Sequence, residues 1–315
     1  MKKIGFIWAI VSMFLNLSAT KYAGEIFHFG AGVRNFALGN CGVSDENSFA
    51  LAYWNASLLS EVQDNKFEIM HSEEYSGLLS YDAVSLIFGN DNKFSLFISR
   101  IGIDNIPLTK LTNSSAPPDS MNRPYEYKSI SDYDFVAYFG FSRKLKNFHL
   151  GLSPKIAFRK LAEKTGFGFG ADISSHAKIT PKMVLAARLR DFFSTQIFWE
   201  NGTHEIVNPS LDVEMNYNFL LPIFKFNSIF FGRLEFLAES RKTAAAFNFG
   251  IFSLDYHLGL ETKIHRQVNL LFGYDIDNLT TGISVGYKNW FLNYSLELDS
   301  SELDNSHRIS ISCKL

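Results

Sequence analysis

An all-β fold, an antiparallel β-barrel of about fourteen strands that spans a membrane, is predicted by three observations on the sequence. Runs of alternating apolar and polar residues recur from about residue 65 to the last residue, broken by turn-type clusters. The connections between these runs switch between long and tight, as in outer-membrane barrels. A leader-like stretch opens the chain.

That stretch reads Met1-Lys2-Lys3, then an apolar run from Ile4 to Leu17, then Ser18-Ala19-Thr20. A positive start, an apolar middle and small residues make a secretory signal peptide, expected over 1–20 with cleavage near Ala19 or Thr20. The run falls short of the roughly 20 residues that a membrane-spanning helix needs. No later stretch approaches about 18 consecutive apolar residues, so the mature chain carries no such helix.

Residues 21–62 follow, and they are too rich in glycine (Gly30, Gly32, Gly39, Gly42) for a helix and too irregular for a strand. They also carry buried-type aromatics up to Trp54-Asn55. The segment is therefore expected to be a hatch or plug folded inside a wall formed by residues 63–315.

The wall reads as strands at 65–71, 80–89, 92–101, 130–142, 147–160, 166–178, 182–191, 206–219, 226–238, 245–262, 266–276, 279–288, 290–298 and 306–315. In the clearest of them Phe148, Leu150, Leu152, Ile156 and Phe158 share one face, against His149, Gly151, Ser153, Lys155 and Arg159. Sandwiches alternate too, so the connections decide. Segments 72–79, 102–129, 161–165, 192–205, 239–244 and 299–305 are long, whereas those near Gly89, Arg143, Pro181, Arg266 and Lys288 are tight. An apolar face toward lipid and a polar lumen satisfy every backbone group only in a closed barrel. Tyr133, Tyr138, Trp199, Tyr217, Tyr287 and Trp290 are candidates for interfacial girdles.

The final run His307 to Leu315 alternates to the end, as closure against the first strand requires. It places Cys313 with Ile309 and Ile311 on the lipid side, so Cys41 in the lumen cannot reach it and both thiols are expected to be free. The inward faces mix signs: Lys155, Arg159, His176, Arg188 and Arg233 stand with Asp172, Asp212, Glu214 and Glu235. A charge-selective pore would concentrate one sign, so internal pairing around the plug is expected, with Arg34 joining Asp172, Asp212 or Glu214. Loop 102–129, extracellular in this geometry, holds Asp104, Pro107, Pro117, Pro118 and Pro124 and is expected to be extended and partly mobile.

Near-neutral balance, with 30 basic and 32 acidic residues, offers no basic stripe for nucleic acid. No metal, cofactor or phosphate motif is present. His149 with Ser153, and Asp255 with His257, lack both a Gly-x-Ser-x-Gly elbow and a third group, so no enzyme is predicted.

The stretches Gly30-Ala31-Gly32-Val33-Arg34-Asn35-Phe36-Ala37-Leu38-Gly39 and Phe49-Ala50-Leu51-Ala52-Tyr53-Trp54-Asn55-Ala56-Ser57-Leu58-Leu59 resemble the hatch of the PorV/PorQ family, within the FadL-like (long-chain fatty acid transporter) barrel group. The segments from Gly102 to Thr109 and from Phe141 to Asp172 are similar to its hairpins. This resemblance implies a fourteen-stranded barrel in the bacterial outer membrane. It names two roles: a non-enzymatic component of type IX-like protein secretion or surface attachment, whose partners are secreted proteins or other secretion components, or a FadL-like transporter of a hydrophobic ligand. The resemblance favours the first. Ala56 stands where the family has proline, and Leu315 where it has a terminal aromatic.

Overall fold

The computed structural model describes residues 23–145, 148–222, 224–241, 244–298 and 305–315. The expected signal peptide lies outside them. Among the described residues, the wall begins with β1 (Lys66–Glu74), β2 (Leu79–Phe88), β3 (Phe94–Lys110), β4 (Tyr125–Leu145) and β5 (Phe148–Leu161). It continues with β6 (Lys164–Thr180), β7 (Met183–Arg190), β8 (Ser210–Leu220), β9 (Asn227–Leu237) and β10 (Phe252–His265). β11 (Val268–Asp275), β12 (Asn278–Tyr287), β13 (Trp290–Leu298) and β14 (Ser306–Lys314) complete it.

Each strand pairs antiparallel with its neighbours, and β14 closes on β1 from Glu73 opposite His307 to Lys66 opposite Lys314. The backbone of Leu315 extends the closure by donating to Asn65 O at 2.8 Å. The result is a closed fourteen-stranded barrel with no open edge. Three short strands, Gln196–Trp199, His204–Ile206 and Phe247–Phe249, are added at the loop end.

The alternation of the sequence is the alternation of faces. On β5, Ile156 is 52% exposed while its neighbour Lys155 is 2% exposed. Apolar side chains outside and buried charges inside invert the order of a water-soluble protein and match a transmembrane barrel of outer-membrane type. Among the described residues no helix is long and apolar enough to cross a membrane. Tyr217, Tyr287 and Trp290 are exposed near the turns, where interfacial aromatics belong. Tyr138 and Trp199 correct the expected girdle, because both are buried inside.

Two expected loops are shorter than their sequence suggests. Segment 161–165 closes as a turn at Ala162-Glu163, with Leu161 opposite Lys164. Most of 102–129 is strand: β3 and β4 continue as a hairpin beyond the wall, Pro107 lies opposite Ser129, and the irregularity falls between Ile103 and Ile106, where Asn105 has φ 59°. Polar Thr and Lys residues with tyrosines satisfy a two-sided solvated ribbon; Pro107 is the one proline within its strands, and Pro117, Pro118 and Pro124 lie in the connection between Lys110 and Tyr125. Asp104 is exposed on this hairpin, 3.7 Å from Arg100.

Candidate functional site

Residues 23–62 pack against the inner face of the wall through three short helices, α1 (Glu25–His28), α2 (Val33–Ala37) and α3 (Leu51–Trp54), and a 3-10 helix, Ala56–Ser60. Glycines at positive φ (Gly30, 106°; Gly32, 81°; Gly39, 64°) keep the helices short. At Gly39 a side chain has no room, since a Cβ there would lie 2.6 Å from Leu258 O and from the backbone of Tyr274. Small wall residues reciprocate: Gly140 faces Ala52 and Ala56, and Gly151 faces Ser57.

An aromatic cluster holds the middle. The Trp54 indole donates to Ala31 O at 2.7 Å, the Tyr53 hydroxyl donates to Phe27 O at 3.0 Å and accepts from Gly30 N at 2.9 Å, and Tyr81 of β2 donates to Gly30 O at 2.8 Å. Asn55 caps the 3-10 helix, its Oδ1 accepting from Ser57 N at 2.9 Å, while its amide donates to Val43 O at 2.6 Å. Ala56 follows as the first residue of that helix, a position that proline also suits.

Arg34 corrects an expectation. Its partners are Asp45, eleven residues on in the same segment, and Glu261 of β10, both at 2.7 Å, rather than Asp172, Asp212 or Glu214. Burial opposes its charge, but the two carboxylates outweigh burial and hold the guanidinium above its ordinary pKa.

The inward charges are paired, in several separate groups. Asp212 of β8 lies 2.8 Å from Arg188 and 2.9 Å from Arg190 of β7. Glu235 of β9 lies 2.9 Å from Arg233 and 3.0 Å from His28. Lys155 bridges Asp172 at 2.8 Å and Asp191 at 2.7 Å, and Arg159 pairs with Asp134 at 2.7 Å. The Arg188 and Arg233 guanidinium groups lie 5.2 and 5.3 Å from the Trp54 ring centre, within cation–π range. Glu214 takes another role: its carboxylate accepts from Gly42 N, Val43 N and Ser44 N at 2.8–3.0 Å and from the Ser44 hydroxyl at 2.7 Å.

Both cysteines are free and buried. Cys41 sits among Ala37, Leu38, Phe231 and Leu271; burial, with Glu214 nearby, pushes its thiol well up. Cys313 keeps the strand parity of Ile309 and Ile311 but is covered, not lipid-exposed as expected, lying between Phe67 and Trp290 in the ladder.

Space remains at both ends of the lumen. Toward the turns, a cavity of ≈ 700 Å³ is ringed by Lys182, Lys263, Arg266, Lys288 and Lys314. Toward the loops, one of ≈ 180 Å³ lies beside His28, Asn40, Arg241 and Asp255. An apolar hollow of ≈ 510 Å³ lies on the wall instead, lined by Ile69, Val84, Ile98, Ile309 and Ile311.

One irregularity of the wall faces the segment directly. The β4–β5 ladder runs to Tyr138 opposite Lys155 and resumes at Phe141 opposite Leu152, so two pairs are skipped beside Pro154. Proline has no N–H to donate. The inward residues at the gap are Gly140, on which Ala52 and Ala56 rest, and Ser153.

No family model matches the sequence, and no curated protein matches it. Solved structures do share the fold. The toluene transporter TbuX of Ralstonia pickettii superposes with a TM-score of 0.54 at 10% identity, covering 91% of this chain and 98% of that one. The toluene transporter TodX of Pseudomonas putida gives 0.53 at 11% identity over 90% and 96%. The monoaromatic hydrocarbon channel CymD gives 0.52 at 10% over 90% and 96%. At such identities the likeness is one of fold: the chain is built as these outer-membrane barrels are, along nearly its whole length.

Proposed function

We propose that this chain carries a small hydrophobic molecule across the outer membrane as a FadL-like barrel, without enzyme chemistry. The observation that carries this proposal is the broken ladder at Pro154, a weak place in the wall closed from inside by the small residues Ala52 and Ala56. A hydrophobic molecule need not cross the charged lumen if segment 23–62, acting as a hatch, shifts and lets it leave sideways into lipid. The fold likeness to toluene and monoaromatic hydrocarbon channels supports the same ligand class.

Uptake of radiolabelled toluene by Gram-negative cells expressing the chain tests this. Expression is expected to raise the uptake rate. Pro154→Val, which restores a donor to the ladder, is expected to lower that rate at least fivefold while heat-modifiable gel migration stays unchanged. Unchanged uptake in the variant would count against the lateral route.

The PorV/PorQ-like alternative, a component of type IX-like secretion, draws on a different feature. The β3–β4 hairpin projects beyond the wall and exposes Met121, Tyr125 and Tyr127, a surface suited to protein contact. Recovery of secreted proteins with the barrel from native membrane, together with no gain in toluene uptake, would favour it.

A further inference from the structure

We propose that Glu61, His149 and His176 form a binding site for a divalent transition-metal ion of the zinc class, which ties the end of the N-terminal segment to the wall. His149 and His176 are direct partners across β5 and β6. Their rings lie 4.4 Å apart. The 3-10 helix ends at Ser60, and the next residue sets the Glu61 carboxylate against the pair, with Oε1 3.5 Å from His176 Nε2 and 3.7 Å from His149 Nδ1. One ligand atom from each of the three residues lies within 4.8 Å of the others. Ligands about 2.1 Å from a tetrahedral ion stand roughly 3.4 Å apart, so a turn of the His149 ring with small shifts of the other two side chains closes the set around one ion.

The hydrogen bonds point the same way. The Ser57 hydroxyl donates to Asn55 Oδ1 at 2.6 Å, so the contact of 2.8 Å between Ser57 Oγ and His176 Nδ1 must be donated by the imidazole. That fixes the tautomer and leaves Nε2 as a lone pair. His176 is 3% exposed, and this Nε2 is buried with no hydrogen-bond partner. It faces Glu61 Oε1, which is also an acceptor. Two acceptors 3.5 Å apart in a buried place repel unless a cation lies between them.

His149 is held by the neighbouring serine. The Ser60 hydroxyl donates to Ser57 O at 2.9 Å and therefore accepts from His149 Nδ1 at 2.5 Å, so the nitrogen 3.7 Å from Glu61 carries the proton and the ring must turn to offer Nε2 to the ion. A ligating histidine held by its other ring nitrogen is the usual outer support of a metal site. Lys178 binds the second oxygen of Glu61 and so turns the first toward the histidines. Glu61 and His149 side chains are 20% and 14% exposed, which admits an ion from the turn end. Two imidazoles and a carboxylate, with water completing the shell, suit zinc and its neighbours rather than calcium or magnesium. The site links Glu61 of the segment with two wall strands, so an ion there would hold the segment closed whatever the barrel carries.

The test uses the full chain in detergent, stripped with chelator and titrated with Co²⁺. One ion per chain is expected, with a saturable d–d absorption band that Zn²⁺ abolishes. His176→Gln should weaken binding at least a hundredfold and Glu61→Gln about tenfold, whereas Lys178→Ala should keep the band. Zn²⁺ should also slow amide exchange at residues 57–61 in the parent chain and not in His149→Ala/His176→Ala, whose heat-modifiable migration reports that it still folds. Absence of a saturable band, or an equal band in the double variant, would overturn the proposal. So would NMR showing His176 doubly protonated at neutral pH in the metal-free chain, since a proton would then fill the gap.

Discussion

Replacing Asp212 by alanine is expected to destabilise the folded barrel by about 3–5 kcal/mol, the usual consequence of removing one partner from a buried ion pair. Asp212 is fully buried and is the shared anion of Arg188 and Arg190, at 2.8 and 2.9 Å. Without it Arg188 loses its carboxylate partner, and Arg190 keeps only Glu235, at 3.3 Å, which Arg233 and His28 share. Arg188 also donates to Tyr53 O, so its displacement disturbs the segment at the aromatic cluster. Asp212→Asn, which keeps an acceptor but not the charge, should cost less. Urea unfolding in micelles, followed by tryptophan fluorescence, measures both; a loss below about 1 kcal/mol in the alanine variant, typical of an exposed pair, would show that water reaches this network freely.

Glu214→Ala is expected to act more locally. Its carboxylate serves three consecutive backbone N–H groups and one hydroxyl. A buried donor left unpaired costs about 1–3 kcal/mol, and water entering the vacated space would offset part of the sum, so about 3 kcal/mol is expected. At about 1.4 kcal/mol per factor of ten, amide exchange at residues 42–44 should rise about a hundredfold. Glu214→Gln, with one acceptor oxygen in place of two, should fall between. Unchanged exchange at 42–44 in the alanine variant would mean that the turn holds itself.

These residues also mark what could be read from the chain alone. A strand has only two faces, so alternation assigned Lys155, Arg159, Asp172, Arg188, Glu214 and Arg233 to the inward side, and all of them are buried there. Alternation says nothing of which inward residues meet, because stagger between strands and the path of the segment decide that. Arg34 shows the limit: its partner Asp45 stood close by in the sequence, but Glu261 comes within reach only through the placement of β10. Glu61, His149 and His176 are farther apart still, and no spacing rule joins them. Trp199 and Tyr138 misled because an aromatic near a strand end suits either an interface or a packed interior. The long hairpin was hidden by prolines that lie where the two-stranded ribbon tolerates them.

The central claim is that residues 23–62 are an integral filling of a membrane barrel rather than an appendage. Hydrogen exchange read by mass spectrometry on the full chain in detergent tests it most directly. Amides of residues 31–59, apart from those at the exposed Glu46 and Asn47, are expected to be protected as long as those of β5, because the rest of this stretch is buried or half-buried inside the wall. Exchange of 31–59 within seconds, while β5 stays protected, would contradict it.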